Sequence, residues 1–384
     1  MNFNLENLRK DEQLPLILGQ LYSQFGYKKF KMEKFEEYDF YAKNKDYLKS
    51  HKLITFPNSE GKLVALKPDI TLSIIKNAKT NGKTAEKRYY TESVYRVSKY
   101  TGEFTEISQT GLEYLGKVTE NTIAEVISLA SRSMEVIGGD YVLSIASADF
   151  LSAYIFEVCD NDYAYFFEIL DAFPIKNEAV IDSLYERDAL TEDDAESLKR
   201  LMKMYGNLYD CLPELSEFVI DETTEQEYEK LKRIANIFHG TEFGKHLMLD
   251  FSIVEDIVYY NSIVFQGYVK NVPHCVLSGG QYDSLLRRMD KENINGIGFA
   301  VYQEDLERYI KKHKKVSLDT MILYNEKSDF KTLNSVIDEH IGSGKTFFAE
   351  TYIPEKYTFD KIIKIDGKSI KLNGKNICEV NKHD

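Results

Sequence analysis

The sequence predicts an α+β fold in which a mostly antiparallel sheet is flanked by helices. Strand-like stretches are joined by links of hairpin length more often than of crossover length, which favours antiparallel pairing. A charged helical block interrupts the strands over residues 148–240, and a small strand-and-helix module follows residue 315. We therefore predict a large domain over 1–315, with a helical insertion over 148–240, and a small C-terminal α/β domain over 316–384.

The N-terminal part is predicted to hold two helices and several strands. Apolar residues recur at helical spacing over residues 5–25, and the glycine that follows ends this helix. A second helix is predicted to begin near Thr119 or Asn121 and to end at Gly138 and Gly139, where we expect the glycines to provide a left-handed stop. Residues 98–102 indicate a hairpin turn between two strands rich in aromatic and β-branched residues. The predicted strands are 53–56, 63–66, 87–97, 105–115 and 142–145.

Strands return after the helical block. A lysine-rich hinge at 311–315 separates them from the C-terminal module, whose helix is predicted over 331–341. The predicted strands in this part are 247–254, 262–269, 275–277, 298–301, 320–324, 346–349 and 361–365.

Composition limits the class of protein. The N-terminal residues lack the apolar core of a signal peptide, and no apolar run approaches the roughly 20 residues that span a bilayer. The four cysteines are far apart and form no Cys-x-x-Cys pair, which is typical of free thiols in a reducing compartment. We expect a soluble cytoplasmic protein that makes no use of a membrane.

Charge and motifs argue against several kinds of partner. A net charge of −13 weakly disfavours nucleic acid, whose phosphates attract lysine and arginine, but ordinary solubility is the favoured explanation of such acidity. The GSGK sequence at 342–345 lacks the first half of a P-loop. The seven histidines have no metal-ligand spacing, so we expect no metal and no cofactor.

A first polar segment lies at the end of a predicted strand, at Pro68. Asp69 and Thr71 follow it two residues apart, and a carboxylate and a hydroxyl so placed can receive an ammonium group. The alternative is that Asp69 is the N-cap of a short helix that follows. The segment alone favours the N-cap.

A second polar segment lies on the predicted strand 105–115, after Arg96 of the preceding strand. Gln109, Gly111 and Glu113 alternate, so both polar side chains share one face across a glycine. Glycine at that position would let a ligand approach the backbone closely. The alternative is an ordinary solvated strand face, and the two interpretations are evenly matched.

A third segment combines tyrosines with glycines. Tyr259 and Tyr260 precede Ser278, Gly279 and Gly280, and two adjacent glycines indicate a backbone that comes close to another group. The aromatic Tyr282 follows two residues later. A plain turn and core packing of the tyrosines are the alternatives.

Taken in order, these segments resemble the class II aminoacyl-tRNA synthetase fold, specifically histidyl-tRNA synthetase and its non-catalytic relatives. The stretch ALKPDIT is similar to the family's LRPE-x-T segment, and residues 87–116 are similar to motif two with its F-x-Q-x-G-x-E strand. Residues 253–268 are similar to the histidine-specific L-V-R-G-L-D-Y-Y signature. LSGGQYDSLL and GIGFAVYQEDL are similar to the Gly-Gly-Arg-Tyr-Asp stretch and motif three. The resemblance covers about residues 1–315.

The resemblance implies a nearly complete site for free histidine. Asp69 and Thr71 match the residues that hold the amino group, and Gln109 and Glu113 match those that face the bound amino acid. A carboxylate beside the ring can accept an imidazole N–H. The histidine-binding residues implied in this way are Asp69, Thr71, Arg96, Gln109, Glu113, Tyr259, Tyr260 and Tyr282.

The residues that the family uses for ATP are missing or reversed in charge. An arginine 4 Å from a phosphate oxygen attracts it by roughly 4 kcal/mol at an effective dielectric near 20, and a carboxylate there repels it by a similar amount. We therefore expect no adenylation and no catalytic residues. The departures are Ser98 for the acidic partner of Arg96, a loop at 99–105 without arginine, Glu255 and Asp305 for two arginines, and Glu33 for the proline of motif one.

Among these relatives, the ATP phosphoribosyltransferase regulatory subunits retain the amino-acid pocket and do not carry out adenylation. The resemblance implies a non-catalytic subunit of the first enzyme of histidine biosynthesis, with histidine as feedback effector. It also implies a homodimer and a hetero-oligomer with a short-form catalytic subunit. The alternatives are a divergent histidyl-tRNA synthetase and an orphan paralogue that binds another amino acid. Glu255, and Gln281 in place of a family arginine, keep the orphan paralogue open as an alternative.

Overall fold

The computed structural model describes residues 8, 10–48, 52–80, 82, 84–97, 102–254, 257, 259–303, 306, 316–354, 357–372 and 375–379. The chain divides into two compact units, Leu14–Glu307 and a second that combines Arg308–Asp384 with Met1–Gln13. The domain limits predicted from the sequence, 1–315 and 316–384, stay a prediction.

Helices lie between the strands of the larger unit, cluster over residues 148–240 and return in the C-terminal unit. No helix in the described part of the chain is long and apolar enough to span a bilayer. The α-helices are α1 (Lys10–Gln24), α2 (Tyr38–Lys43), α3 (Ile70–Lys76), α4 (Glu120–Ile137), α5 (Ala148–Val158), α6 (Tyr163–Ala172), α7 (Glu178–Glu186), α8 (Glu192–Lys203), α9 (Leu208–Leu215), α10 (Glu222–Phe238), α11 (Asp283–Arg288) and α12 (Phe330–Ser343). Turns of 3₁₀ helix are formed by Lys45–Tyr47, Ser216–Phe218, Phe243–His246 and Phe251–Ile253.

The strands of the described residues form three sheets. They are β1 (Lys28–Lys29), β2 (Phe35–Glu37), β3 (Thr55–Pro57), β4 (Leu63–Leu66), β5 (Glu86–Val97), β6 (Phe104–Gly116), β7 (Tyr141–Ser147), β8 (Tyr205–Asn207), β9 (Leu247–Asp250), β10 (Asn261–Val269), β11 (Leu277–Gln281), β12 (Asn295–Tyr302), β13 (Val316–Leu323), β14 (Phe347–Glu350), β15 (Tyr357–Asp366), β16 (Ser369–Leu372) and β17 (Lys375–Glu379).

The large sheet has nine strands in the order β1-β5-β6-β12-β11-β10-β7-β9-β8. The pairs β1–β5 and β7–β9 are parallel, and the other neighbours are antiparallel. This arrangement confirms the predicted α+β fold with a mostly antiparallel sheet. The strands β2, β4 and β3 form a separate small antiparallel sheet.

The long hairpin of β5 and β6 forms where aromatic and β-branched residues predicted it. The two strands pair along almost their whole lengths, and the predicted turn at 98–102 lies largely outside the described residues. Successive side chains of a strand point to opposite faces, so Gln109, Gly111 and Glu113 share one face of the sheet. This shared face is the floor of the site described below.

Helix ends follow their capping residues. Gly26 adopts a φ of +83° soon after α1, and Thr119 caps α4 by accepting from the backbone of Thr122. The predicted left-handed stop at Gly138 is wrong, because that residue is extended with a φ of −178°. Its N–H still bonds to the carbonyl of Met134. The chain leaves α4 in an extended conformation that leads toward β7.

The block that was predicted to be helical contains α5 to α10 and the short strand β8. This strand pairs with β9 and so adds to the edge of the large sheet. The long helix α10 begins with a capping box between Asp221 and Thr224. Its buried face includes Leu231 and Ile234.

Several predicted strands have different limits in the structure, and two of them show the physical reason. The strand predicted at 247–254 ends at Asp250, whose carboxylate accepts from the Ser252 backbone N–H and starts a 3₁₀ turn. The strand predicted at 275–277 instead spans Leu277–Gln281 and passes through Gly279 and Gly280. Pairing with β10 and β12 on both sides holds these glycines extended.

The C-terminal unit has a five-stranded sheet in the order β14-β13-β15-β16-β17. The strand β13 is parallel to both of its neighbours, and α12 connects it to β14. Ile322, Val336 and Ile365 form its buried core. The predicted helix and the first three strands are found, whereas β16 and β17 were not predicted.

Candidate functional site

A cavity on one face of the large sheet contains all the residues predicted to bind an amino acid. The cavity opens to solvent. Its walls come from α3, from the segment before β10 and from the loop after β11, and its floor comes from the sheet. The predicted residues that line it are Asp69, Thr71, Arg96, Gln109, Glu113, Tyr259, Tyr260 and Tyr282.

Glu113 lies at the bottom of this cavity and is 2% exposed. The hydroxyl of Thr71 donates to Oε1 at 2.8 Å, and the hydroxyl of Tyr282 donates to Oε2 at 2.6 Å. The pKa of Glu113 is raised to about 8, with burial as the largest cause; the hydrogen bonds from Tyr282 and Thr71 oppose this shift, and the nearby Asp69 adds to it. The carboxyl is therefore held in a fixed position and is largely uncharged at neutral pH.

Asp69 has two roles in the structure. Its side chain accepts from the backbone N–H of Leu72 at 2.9 Å, so it is the N-cap of α3. It also lines the cavity, where the hydroxyl of Tyr259 lies 3.5 Å from each of its oxygens. The N-cap alternative is thus correct without excluding a ligand role. Thr71 belongs to the first turn of this helix.

Arg96 is fixed at the edge of the cavity by its backbone contact. Its Nε–H donates to the carbonyl of Pro68 at 2.9 Å, directly before the Asp69 cap. Gln109 lies on the neighbouring strand and is 4% exposed. A cation, a buried amide and two carboxyl groups therefore surround one small volume.

The tyrosines form the apolar walls. The rings of Tyr259 and Tyr260 are 4.7 Å apart between centroids in an edge-to-face arrangement. Tyr282 is 1% exposed, and burial, followed by the neighbouring Glu113, raises the pKa of its phenol. Burial also raises the pKa of Tyr259, and the nearby charge of Asp69 raises it further. Both phenols stay protonated and act as hydrogen-bond donors.

Two glycines make room for these side chains. A Cβ atom on Gly298 would lie 1.9 Å from Oε2 of Glu113, and one on Gly280 would lie 2.7 Å from the ring of Tyr260. Gly111, which we expected to admit a ligand, instead admits the ring of Tyr90, whose hydroxyl would lie 2.5 Å from such a Cβ. That expectation is wrong, because the space over Gly111 is already filled by protein.

Several lining residues were not predicted from the sequence. Tyr90 is buried beneath the cavity, and Ser278, Ala300 and Tyr302 extend its floor along β11 and β12. Ser278 and Ala300 are paired across the sheet. The alternation of β12 from Gly298 could have identified Ala300 and Tyr302, because residues two apart on a strand share a face.

The structure describes only some of the residues that differ from the ATP-binding residues of the resembled family. Ser98, Glu255 and Asp305 lie outside the described residues. Glu33 is exposed, and Gln281 is buried with its amide donating to Asp283 at 2.7 Å. Within the described ranges, no group of three or more histidine, cysteine or acidic residues could hold a metal ion.

Comparison with known proteins identifies the family. A family model described as Histidyl-tRNA synthetase matches residues 2–306. The chain belongs to the histidyl-tRNA synthetase family. Curated relatives include the ATP phosphoribosyltransferase regulatory subunit of Clostridium kluyveri, which is 28% identical over 85% of this chain and 83% of the relative. That of Caldanaerobacter subterraneus is 26% identical over 91% of this chain and 90% of the relative.

Solved structures agree with this fold. An ATP phosphoribosyltransferase regulatory subunit/histidyl-tRNA synthetase from Bacillus halodurans has a TM-score of 0.75 at 18% identity, covering 93% of this chain and 94% of its own. A chain of the ATP phosphoribosyl transferase (HisG:HisZ) complex from Thermotoga maritima has a TM-score of 0.61 at 17% identity, covering 77% of this chain and 97% of its own. The predicted fold, the resemblance to regulatory subunits and the predicted non-catalytic role are confirmed.

Proposed function

We propose that this chain is the histidine-binding regulatory subunit of an ATP phosphoribosyltransferase, and that free histidine occupies the cavity above Glu113 as its effector. One observation carries the ligand assignment: a buried carboxyl, fixed by Thr71 and Tyr282, points into a small cavity lined by tyrosines. A carboxyl accepts a ring N–H when it is ionised and donates to a bare ring nitrogen when it is protonated. Glu113 can therefore recognise imidazole in either state.

The remaining polar residues suit the other end of the amino acid. The carboxylate of Asp69 suits an ammonium group, and the guanidinium of Arg96 suits a carboxylate, for which its planar fork has matching geometry. Tyr260 and Tyr282 would lie against the ring. The cavity thus offers a complementary group to each polar part of histidine.

The same charges argue against a nucleotide. Arg96 is the single cation among the described residues that line the cavity, and the carboxylate of Asp69 lines it too. A triphosphate needs several cationic contacts, and a carboxylate near it opposes binding by an amount similar to what one arginine contributes. This supports binding of histidine without its activation.

The partner proposed is the catalytic subunit of the same enzyme. The curated relatives are named regulatory subunits of ATP phosphoribosyltransferase, and a similar solved chain belongs to a complex of that transferase. We propose a hetero-oligomer with a short catalytic subunit, a homodimer of this chain and a cytoplasmic location. Histidine changes the activity only through different affinities for the active and inhibited assemblies.

The test is co-expression with the short catalytic subunit from the same genome. We expect the two chains to co-purify and phosphoribosyl transfer to respond to histidine. Glu113→Gln should keep the assembly and lose the histidine response, while Glu106→Gln, an exposed position on the same strand, should keep both. Separate elution of the two chains contradicts the partner, and an unchanged response in Glu113→Gln contradicts the site.

A divergent synthetase is separated from a regulatory subunit by a second assay. The purified chain, supplied with histidine, ATP and Mg²⁺, should give no ATP–pyrophosphate exchange. A genuine histidyl-tRNA synthetase from any source serves as the positive control. Exchange that depends on histidine would overturn the non-catalytic assignment.

A further inference from the structure

A residue beside the cavity has an unfavourable backbone conformation. Ser262, at the start of β10, has a φ of +53°, in the left-handed region that residues with a Cβ rarely adopt. The pairing of β10 with β11 is irregular between Asn261 and Val264, at the same point. Ser262 is 2% exposed. Some interaction must therefore compensate for the conformation of a buried serine.

That interaction comes from the helical insertion. The hydroxyl of Ser262 donates to Oε2 of Glu227 on α10 at 2.8 Å, and the ammonium of Lys230 donates back to the same hydroxyl at 2.6 Å. Ser147 donates to the same carboxylate oxygen at 2.8 Å. The Ser262 hydroxyl is therefore held by two side chains of α10, and Ser147 at the end of β7 binds the same carboxylate.

Glu227 is well placed to organise this contact. It is 7% exposed although it is an acid, and its other oxygen pairs with Lys230 one turn along α10. A buried carboxylate with three donors is rigid, because removing any donor leaves buried charge uncompensated. Glu227 does not line the cavity within the described structure.

The bend determines where the cavity wall lies. Tyr259 and Tyr260 precede Ser262 by three and two residues, and both line the cavity. Tyr259 reaches Asp69 with its hydroxyl, and the ring of Tyr260 packs against Gly280. A change of φ at Ser262 would rotate the chain that carries both rings.

We infer that Glu227 is a positioning residue for the amino-acid site: by holding Ser262 in its left-handed conformation it sets Tyr259 and Tyr260 against the cavity. Histidine binding and the placement of α10 are then coupled through one bend, which gives the helical insertion a part in sensing the ligand. This inference rests on the proposed function for the identity of the ligand, and on the geometry alone for the positioning.

Two pairs of variants test it. Glu227→Gln and Ser262→Ala should each weaken histidine binding about tenfold in titration calorimetry, because the bend loses its support. Ser262→Gly should bind histidine with nearly the affinity of the unaltered chain. The double variant Glu227→Gln with Ser262→Gly should recover most of the lost affinity, because glycine adopts positive φ without steric cost. Glu229→Gln is the matched control, since Glu229 pairs with Lys232 at the same spacing on the exposed side of α10.

A second measurement does not need the ligand. Amide hydrogen exchange in the free protein should be faster over residues 259–264 in Glu227→Gln and in Ser262→Ala, and normal in Ser262→Gly and Glu229→Gln. Equal affinity and equal exchange in all variants would overturn the inference. If the unaltered chain binds no histidine while the exchange pattern is as expected, the proposed function fails and the positioning role stands.

Discussion

The free energy of unfolding of the chain depends on pH through Glu113, because the carboxyl of this residue is buried. Its pKa is raised to about 8 from a value of 4.5 for an exposed glutamate. Between these two pH values the folded chain holds a proton that the unfolded chain has lost, so the free energy of unfolding falls as pH rises. The contribution is fully present below pH 4.5 and is lost as pH rises through about 8.

Glu113→Gln should remove this pH dependence. We expect the variant to gain stability relative to the unaltered chain as the pH is raised from 5 to 9, because glutamine has no proton to lose. Urea unfolding at a series of pH values measures the difference, and Glu106→Gln should show no such trend. Parallel curves for Glu113→Gln and the unaltered chain would mean that the carboxyl is ionised in the empty site.

The two roles of Asp69 can be separated by one atom. Asparagine caps helices as well as aspartate does, so Asp69→Asn should unfold at nearly the same temperature as the unaltered chain, whereas Asp69→Ala should lose about 1 kcal/mol. Loss of the charge beside an ammonium group should weaken histidine binding by about 2 kcal/mol, roughly thirtyfold, in both variants. Calorimetry and thermal unfolding give the two readouts. Full affinity in Asp69→Asn would exclude Asp69 as the ammonium partner.

At this scale the sequence was informative because the chemistry is local. The alternation of Gln109 and Glu113 on a strand follows directly from a period of two, and the structure has both on the cavity floor. The double role of Asp69 was not resolved, since a cap and a ligand require the same short acidic side chain. Tyr90 was missed because nothing in its own segment marks it as facing a cavity.

Strand β12 contains a position where the structure leaves no space for a side chain. Gly298 lies opposite Glu113 in the sheet, and a methyl group there would meet both the carboxyl and, at 2.3 Å, the carbonyl of Leu112. The first contact could be relieved by moving a side chain, but the second involves backbone. Glycine at this position is therefore what allows the carboxyl to lie flat on the sheet.

Gly298→Ala should consequently be destabilising by about 1–3 kcal/mol and should abolish measurable histidine binding. Gly139→Ala is the control, because a Cβ at Gly139 meets nothing within 4 Å and its effect should stay within about 0.5 kcal/mol. Chemical unfolding and calorimetry provide the measurements. Normal binding by Gly298→Ala would show that the carboxyl has another position available.

Helices and strands were predicted well where a periodic pattern runs over many residues. They were predicted poorly where pairing within the sheet sets the conformation of the segment. The helix from Thr119 and the strands on either side of the 98–102 turn have strong local patterns. The strand through Gly279 and Gly280 does not, since pairing on both sides holds glycines that alone favour a turn. Gly138 shows the reverse error: a glycine after a helix is common as a left-handed stop, yet here the chain continues extended.

The whole molecule brings together residues that are far apart in the chain. Thr71, Glu113 and Tyr282 are joined by hydrogen bonds across separations of 42 and 169 residues. The order of strands in the large sheet achieves this, and no local pattern in the sequence predicts that order. The family resemblance implied the class II aminoacyl-tRNA synthetase fold, and the order of the strands was not predicted.

Assembly should be linked to the ligand in both directions. If histidine changes the affinity between this chain and the catalytic subunit, the catalytic subunit must change the affinity for histidine by the same factor. Couplings of this kind commonly amount to about 1–3 kcal/mol, or five- to 150-fold. Calorimetric titration of histidine into the chain alone and into the complex measures the factor. Identical affinities in the two titrations would show that histidine is no effector of the assembly.

The most direct test of the account is a crystal structure of the chain grown with histidine, ATP and Mg²⁺ together. We predict histidine in the cavity, with a ring nitrogen within hydrogen-bond distance of the Glu113 carboxyl, the ammonium group at Asp69 and no ordered triphosphate. A triphosphate bound beside Arg96, or a cavity that holds no amino acid at saturating histidine, would contradict it.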